Sequence, residues 1–295
     1  MNNLEEFKDY DAFHLNLALY YAAMDGNKDV VKYILTELKK DKESVNAALE
    51  NACSHNQLGL VKYLLSSNEL SNKADVNFDI DKHNSFLMAC EGGIETVKFL
   101  FPLLKFNNNK SKKYVARNSI IKACIHGNLD VLKYLLSEKD IIKHVNLEKE
   151  FSGLLNDAGS KENIEVFEYI FNLDNYKEKF LKNNDGTLED IILTCLIEGR
   201  FEMVEYLMRH DELKNNIDIN RDEDYIFKFI CENEGHEVIQ YLVVDLNIKK
   251  TEEIAKLLEN SIYNKYKKMF ETRELNNSLN NELDTSNQIK KKTKL

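Results

Sequence analysis

One short pattern recurs along most of the chain and limits its possible folds more than any other feature. Asp29-Val30-Val31-Lys32-Tyr33-Ile34-Leu35 returns as Leu60-Val61-Lys62-Tyr63-Leu64-Leu65, Thr96-Val97-Lys98-Phe99-Leu100-Phe101 and Asp130-Val131-Leu132-Lys133-Tyr134-Leu135-Leu136. It continues as Glu165-Val166-Phe167-Glu168-Tyr169-Ile170-Phe171, Glu202-Met203-Val204-Glu205-Tyr206-Leu207-Met208 and Glu237-Val238-Ile239-Gln240-Tyr241-Leu242. The aromatic markers at 33, 63, 99, 134, 169, 206 and 241 lie 30, 36, 35, 35, 37 and 35 residues apart. A fixed period in this range signals a stack of supersecondary units.

Within a copy, apolar residues fall at i, i+1, i+4 and i+5, as in Val131, Leu132, Leu135 and Leu136, giving a short helix one wide apolar face. Upstream lies a second helix carrying a small residue, Ala22, Ala52, Ala89, Ala123 or Ala158, with Cys195 in the sixth copy. Close helix packing there excludes bulk. Between the two helices come Gly26, Gly92-Gly93, Gly127, Gly199 and Gly235, suited to the left-handed conformation that ends a helix. Two such helices cannot cover their own apolar faces, so neighbouring units must do so. Copies three and seven look one residue short in this turn, and copy five has Glu162 where glycine is expected. These units should be the least regular.

Ala123-Cys124-Ile125-His126-Gly127-Asn128-Leu129-Asp130-Val131 resembles the small-residue helix, glycine turn and second helix of the ankyrin repeat. Asp75-Val76-Asn77, Asp218-Ile219-Asn220 and, less closely, His144-Val145-Asn146 resemble the turn that closes such a unit. The family's Thr-Pro-Leu-His opening is absent. Asn84-Ser85-Phe86-Leu87 and Asn118-Ser119-Ile120-Ile121 stand in its place, and their asparagine and serine are expected to cap the helices. A tetratricopeptide array has a similar period, but the Asp-Val-Asn linkers argue against it. The resemblance implies an all-α, ankyrin-type solenoid of about seven stacked helix–turn–helix repeats with terminal capping helices.

The expected organisation is an N-terminal cap at 1–15, the repeat array at 16–250, a capping helix at 251–270 and a mostly disordered polar tail at 271–295. Leu4, Phe7, Tyr10 and Phe13 have helical spacing, as a shield for the first repeat requires. Ile254, Leu257, Leu258, Ile262, Tyr266 and Phe270 continue the pattern at the other end. A single proline, Pro102, and ten glycines fit a helical chain.

The formal charge of −10 sets up a field that repels nucleic acid and anionic membrane. No apolar run approaches the roughly 18 residues of a membrane span, and no signal peptide is evident at the start. An intracellular, cytoplasmic protein is expected, with the nucleus open through Lys290-Lys291-Lys292-Thr293-Lys294. The basic stretch from Lys105 to Arg117 is expected as an enlarged, solvated finger.

No constellation for catalysis is visible, and neither a cofactor nor a metal is expected. There is no Gly-x-x-x-x-Gly-Lys loop and no His-Glu-x-x-His. Asn183-Asn184-Asp185-Gly186 lacks the outer acidic ligands of a calcium loop and reads as a turn into a helix capped at Thr187. Cys53, Cys90, Cys124, Cys195 and Cys231 recur near one repeat position and read as packing residues. What remains for function is the concave side, where ankyrin-type proteins generally bind partners. On this mapping the partner-facing residues are Asp25, His55, Glu91, His126, Lys161, Glu198 and Asn233. Their mixed charge suits a protein partner better than a polyanion. The resulting expectation is a monomeric, non-catalytic scaffold or adaptor without a small-molecule substrate. The alternative is a nucleic-acid or phosphate binder using 105–117 and the lysine tail.

Overall fold

The computed structural model of the chain describes residues 4–38, 41–79, 82–173, 176–183, 185–218, 227, 228, 231, 239, 240, 242, 243, 250–259 and 264–292, the last helix with its side chains to 279. Among these residues there is helix and no strand. The chain divides into two compact units, Met1–Phe180 and Leu181–Leu295.

The first unit holds five helix pairs: α1 (Ala12–Met24) with α2 (Lys28–Tyr33), α3 (Lys42–Ser54) with α4 (Leu58–Ser66), α5 (Asn84–Gly92) with α6 (Ile94–Leu100), α7 (Asn109–Ile125) with α8 (Leu129–Ser137), and α10 (Leu147–Gly159) with α11 (Ile164–Phe171). The short α9 (Lys139–Ile142) lies between the last two pairs, and α12 (Lys177–Asn183) follows them. First helices pack side by side in the order α1, α3, α5, α7, α10, and the second helices α4, α6, α8 and α11 form a parallel layer. The second unit contains the sixth pair, α13 (Thr187–Ile197) with α14 (Phe201–Arg209), then α15 (Asp211–Lys214), α16 (Glu252–Leu258) and α17 (Asn264–Lys292). Most of the seventh copy, including Tyr241, lies outside the described residues.

The core is the one the period predicts. Ala52, Ala89, Ala123, Ala158 and Cys195 have no exposed surface and Ala22 is 7% exposed, which lets first helices approach closely. Val131, Leu132 and Leu135, with their equivalents in other copies, fill the space between the layers. Each such side chain contributes roughly 1.5–3 kcal/mol by leaving water.

The turns show how the units interlock. Gly26, Gly127 and Gly199 have φ near +70°, and at the same register Asn56 (φ 53°) and Glu162 (φ 60°) adopt the left-handed form despite their side chains. The next residue reaches back across the repeat boundary. The Gln57 Nε2 donates to the Met24 carbonyl (2.8 Å). The Asn128 Nδ2 donates to the carbonyls of Cys90 (3.0 Å) and Glu91 (2.6 Å), and that of Asn163 to Cys124 and Ile125 (both 2.8 Å). These carbonyls end a first helix and have no intrahelical donor. In copy one, Asn27 accepts from Val30 N–H and so caps its own second helix (3.3 Å).

Copy three departs from the series, as its sequence suggests. Only Gly93 separates α5 from α6, and no side-chain amide is available. Here the backbones themselves meet: a Cβ on Gly92 would lie 2.2 Å from the Cys53 carbonyl oxygen. The buried Thr96 hydroxyl donates instead to Asn56 Oδ1 (2.7 Å).

A second ladder runs along the other layer. The lysines before the markers of copies two to four, Lys62, Lys98 and Lys133, lie over the marker rings of the next copies, Phe99, Tyr134 and Tyr169, at 5.3, 5.9 and 5.4 Å. Lys28 covers Tyr63 at 4.5 Å. Exposed cation–π pairs of this kind contribute about 0.5–1 kcal/mol each. Glu168 and Glu205 replace the lysine in copies five and six.

The linkers are anchored as well. Asn46 accepts from Asp75 N–H and Glu189 from Asp218 N–H, both at 2.8 Å and both across 29 residues, so Asp75 and Asp218 are tied to the first helix of their own copy in the same way. Asn77 then holds the following loop, accepting from Lys105 N–H (2.7 Å) and donating to the Leu103 carbonyl (3.1 Å).

Several local expectations fail. Asn118 and Ser119 do not cap a helix; they lie inside α7, bonded to the carbonyls of Tyr114 and Ala116, because Asn108 starts the helix ten residues earlier by accepting from Lys110 and Ser111 N–H. The stretch from Lys105 to Arg117 is therefore mostly the first turns of α7, not an enlarged finger. Asn84 likewise follows the N-cap residue, His83. The N-cap residue of α13 is Gly186, not Thr187, and the Asp185 carboxylate accepts from the Thr187 N–H and hydroxyl. At the N-terminus, Leu4–Asp9 is a 3-10 turn and Asp11 caps a new helix, accepting from His14 N–H. That break leaves Phe13 69% exposed, so Phe13 shields nothing in the first repeat. The last helix, α17, runs from Asn264 to Lys292, and buried Tyr266 and Phe270 pin its first turns.

Gly92→Ala should lower the stability of the chain by about 1–3 kcal/mol through overpacking, although alanine gains about 1 kcal/mol in helix propensity. Urea unfolding followed by circular dichroism decides the sign. An unchanged or raised midpoint contradicts the close backbone approach.

Candidate interaction surface

The residues expected to face a partner share one structural position. Asp25, His55, His126 and Glu198 are the C-terminal cap residues of α1, α3, α7 and α13, and Lys161 lies in the turn after α10. All five are exposed. A helix C-terminus presents carbonyl oxygens and a partial negative charge. In this fold the amides of Gln57, Asn128 and Asn163 take several of those carbonyls, so the cap side chains are left to the surface.

Glu91 behaves differently. It sits in the last turn of α5 with its side chain 14% exposed, and its Oε1 lies 2.5 Å from Lys122 Nζ and 3.6 Å from His126 Nε2. Lys122 and His126 are four apart on α7, so the carboxylate bridges two neighbouring first helices. Of the expected row, the structure thus brings Glu91 and His126 together and adds Lys122. Lys122 is missed by a search for residues before the turn, because it lies one helical turn upstream.

The remaining members stand apart. The His55 Nδ1 lies 3.1 Å from the Asn51 carbonyl and 2.8 Å from the Ser54 hydroxyl. Glu198 pairs with Arg200. Asn233 lies outside the described residues.

Within the basic stretch, Arg117 is engaged by Glu150, with its Nε 2.9 Å from Oε2. Phe106 stacks edge-on against His83 at 4.9 Å and is faced by Lys112 at 6.0 Å.

The cysteines fit the packing role. Cys53, Cys90 and Cys124 are completely buried, and burial pushes all three thiols far above their ordinary range. Glu50 beside Cys53, Glu91 beside Cys90 and Asp157 beside Cys124 push in the same direction. A thiol held in this state is a poor nucleophile and a poor metal ligand. Among the described residues no three His, Cys, Asp or Glu side chains are grouped to hold a metal ion. Glu50 and Asp157 are half-buried carboxylates whose proton affinity is itself raised by burial, against a hydrogen bond from Asn84 and the charge of Arg117 respectively.

Stacked helix pairs, small residues between first helices and polar turn ends define a helical repeat protein. Residues 4–80 match the family described as ankyrin repeats (3 copies), and this part of the chain, which holds α1 to α4, consists of ankyrin repeats. The pairs of the first unit after residue 80 carry the same sequence marker and the same stacking, consistent with an ankyrin repeat array. No curated protein and no solved structure matches the chain significantly. Ankyrin repeats are generally protein–protein interaction modules and typically non-catalytic. Among the described residues no helix is long and apolar enough to cross a membrane.

The native chain should be inert to a thiol reagent such as dithiobis-nitrobenzoate near pH 8, where an ordinary exposed thiol, with a pKa of about 8.5, reacts readily. All five cysteines should react only on unfolding. A thiol titrated rapidly in the folded chain contradicts the packing role.

Proposed function

We propose that the chain is a non-catalytic scaffold or adaptor that binds a protein partner across the ends of its first helices. The observation that carries this reading is the division of labour among its side chains. The apolar faces are consumed by stacking, whereas Asp25, His55, His126 and Lys161 stand exposed at successive or near-successive turns of the first unit. Their charges are mixed, and the Lys122–Glu91–His126 bridge neutralises the middle of the row. Such a surface complements a folded partner carrying both signs. A polyanion would instead call for sustained positive charge. The same placement makes Glu198 the equivalent residue of the second unit.

The test is affinity capture with the intact chain and with a variant in which Asp25, His55, His126 and Lys161 are alanine. Identified partners are then re-examined with purified proteins. Loss of one specific protein by the variant, with its circular dichroism spectrum intact, is the expected result. Equal capture by both chains would rule out the turn ends as the binding surface.

A further inference from the structure

A cleft of about 290 Å³ opens in the first unit where three segments meet: the stretch that ends copy three, the first turns of α7, and the turn after α9. Its apolar lining is Phe101, Pro102, Leu104, Phe106 and Ile141. Its polar lining is Lys112, Lys143, His144 and Asp140. The cleft lies just below the range for ligand pockets, roughly 300–1,000 Å³, with room for a side chain or two.

The charge here is opposite to that of the whole molecule. Asp140 is exposed and pairs with Lys143, which holds its carboxyl below the usual range. Lys112 and Lys113 stand in the first turns of α7, where the helix dipole disfavours cations. The His144 imidazole reports the resulting field. Its proton affinity is lowered first by burial and then by Lys143, Lys112 and Lys113, with Asp140 alone acting in the other sense. Its Nε2 has no hydrogen-bond partner among the described residues. A positively charged rim around an apolar floor, in a chain of net charge −10, is complementary to an acidic segment bearing an apolar side chain. Extended polyanions are less well matched, because Arg117 is engaged by Glu150.

We propose that this cleft is a second docking site, which takes an acidic linear peptide by seating a leucine or phenylalanine side chain among Phe101, Leu104, Phe106 and Ile141 while flanking carboxylates meet Lys112 and Lys143. The site is distinct from the turn ends: Lys112 and His126 are 14 residues apart on α7, about 21 Å along the axis. It therefore stands whether or not the turn-end row binds a partner.

The test uses the full chain and a fluorescein-labelled peptide, Glu-Glu-Leu-Glu-Glu, followed by anisotropy, with the His144 imidazole titrated by NMR in the unaltered protein. The peptide should bind and raise the His144 pKa, since an anion in the cleft offsets Lys143, Lys112 and Lys113. Replacing its leucine by serine, or its glutamates by glutamine, should weaken binding at least about tenfold, as should Lys112→Gln in the protein. Three results would overturn the proposal. One is absence of binding at about 1 mM peptide. Another is equal binding of the serine peptide, which would reduce the effect to bare charge. The third is tighter binding of a single-stranded oligonucleotide that Lys112→Gln abolishes, which would assign these cations to a nucleic-acid surface.

Discussion

The first unit depends on how the exposed carbonyls at the end of each first helix are satisfied. A helix leaves its last four carbonyl oxygens without internal donors, and a buried carbonyl left unsatisfied costs about 1–3 kcal/mol. Three of the four junctions in this unit answer with a side-chain amide from the next repeat, through Gln57, Asn128 and Asn163. At the remaining junction no side-chain amide meets a carbonyl; the backbone of Gly92 packs closely against the end of α3, and the Thr96 hydroxyl donates to the Asn56 side chain. Each repeat thus completes the one before it, in hydrogen bonding as well as in apolar burial. The cation–π ladder from Lys28 to Tyr169 adds a weaker link of the same direction on the other layer.

How much of this was legible in the sequence follows from what period and residue size can encode. The repeated apolar face and the recurring small residue are statements about packing, and they fixed the helix pairs and the buried positions. The amide links were visible only as an asparagine or glutamine after the turn residue, which reads as ordinary turn chemistry because the carbonyl it meets lies 33 to 39 residues away. The misplaced caps had the same origin. Asn118-Ser119 has the composition of a helix start, but Asn108 is a better cap with ten residues of helix-compatible sequence behind it, so propensity over the longer stretch prevailed. Glu162 stands where most of the turns carry glycine. The surrounding turn nevertheless holds it left-handed, since Asn163 must still reach the carbonyls of Cys124 and Ile125.

The interaction surface was legible as positions and less so as chemistry. Counting back from each marker locates the exposed turn ends, yet it cannot reveal that Glu91 is committed to Lys122 and His126. Nor does it bring Lys112 together with Lys143 and His144, which are more than thirty residues away and meet only through the packing of α7 against α9. Charge in this fold is therefore organised by the junctions: where a repeat boundary draws opposite charges together the surface is neutral, and where the linkers converge a basic cleft survives on an acidic chain.

The central claim, that each repeat is completed by its neighbour, is tested most directly by hydrogen exchange of the intact chain against Asn163→Ala. The account predicts faster exchange in two places at once, the end of α7 around Cys124 and Ile125 and the start of α11, with α3 and α4 unchanged. Faster exchange confined to the turn at residue 163, or spread evenly over all five pairs, would contradict it.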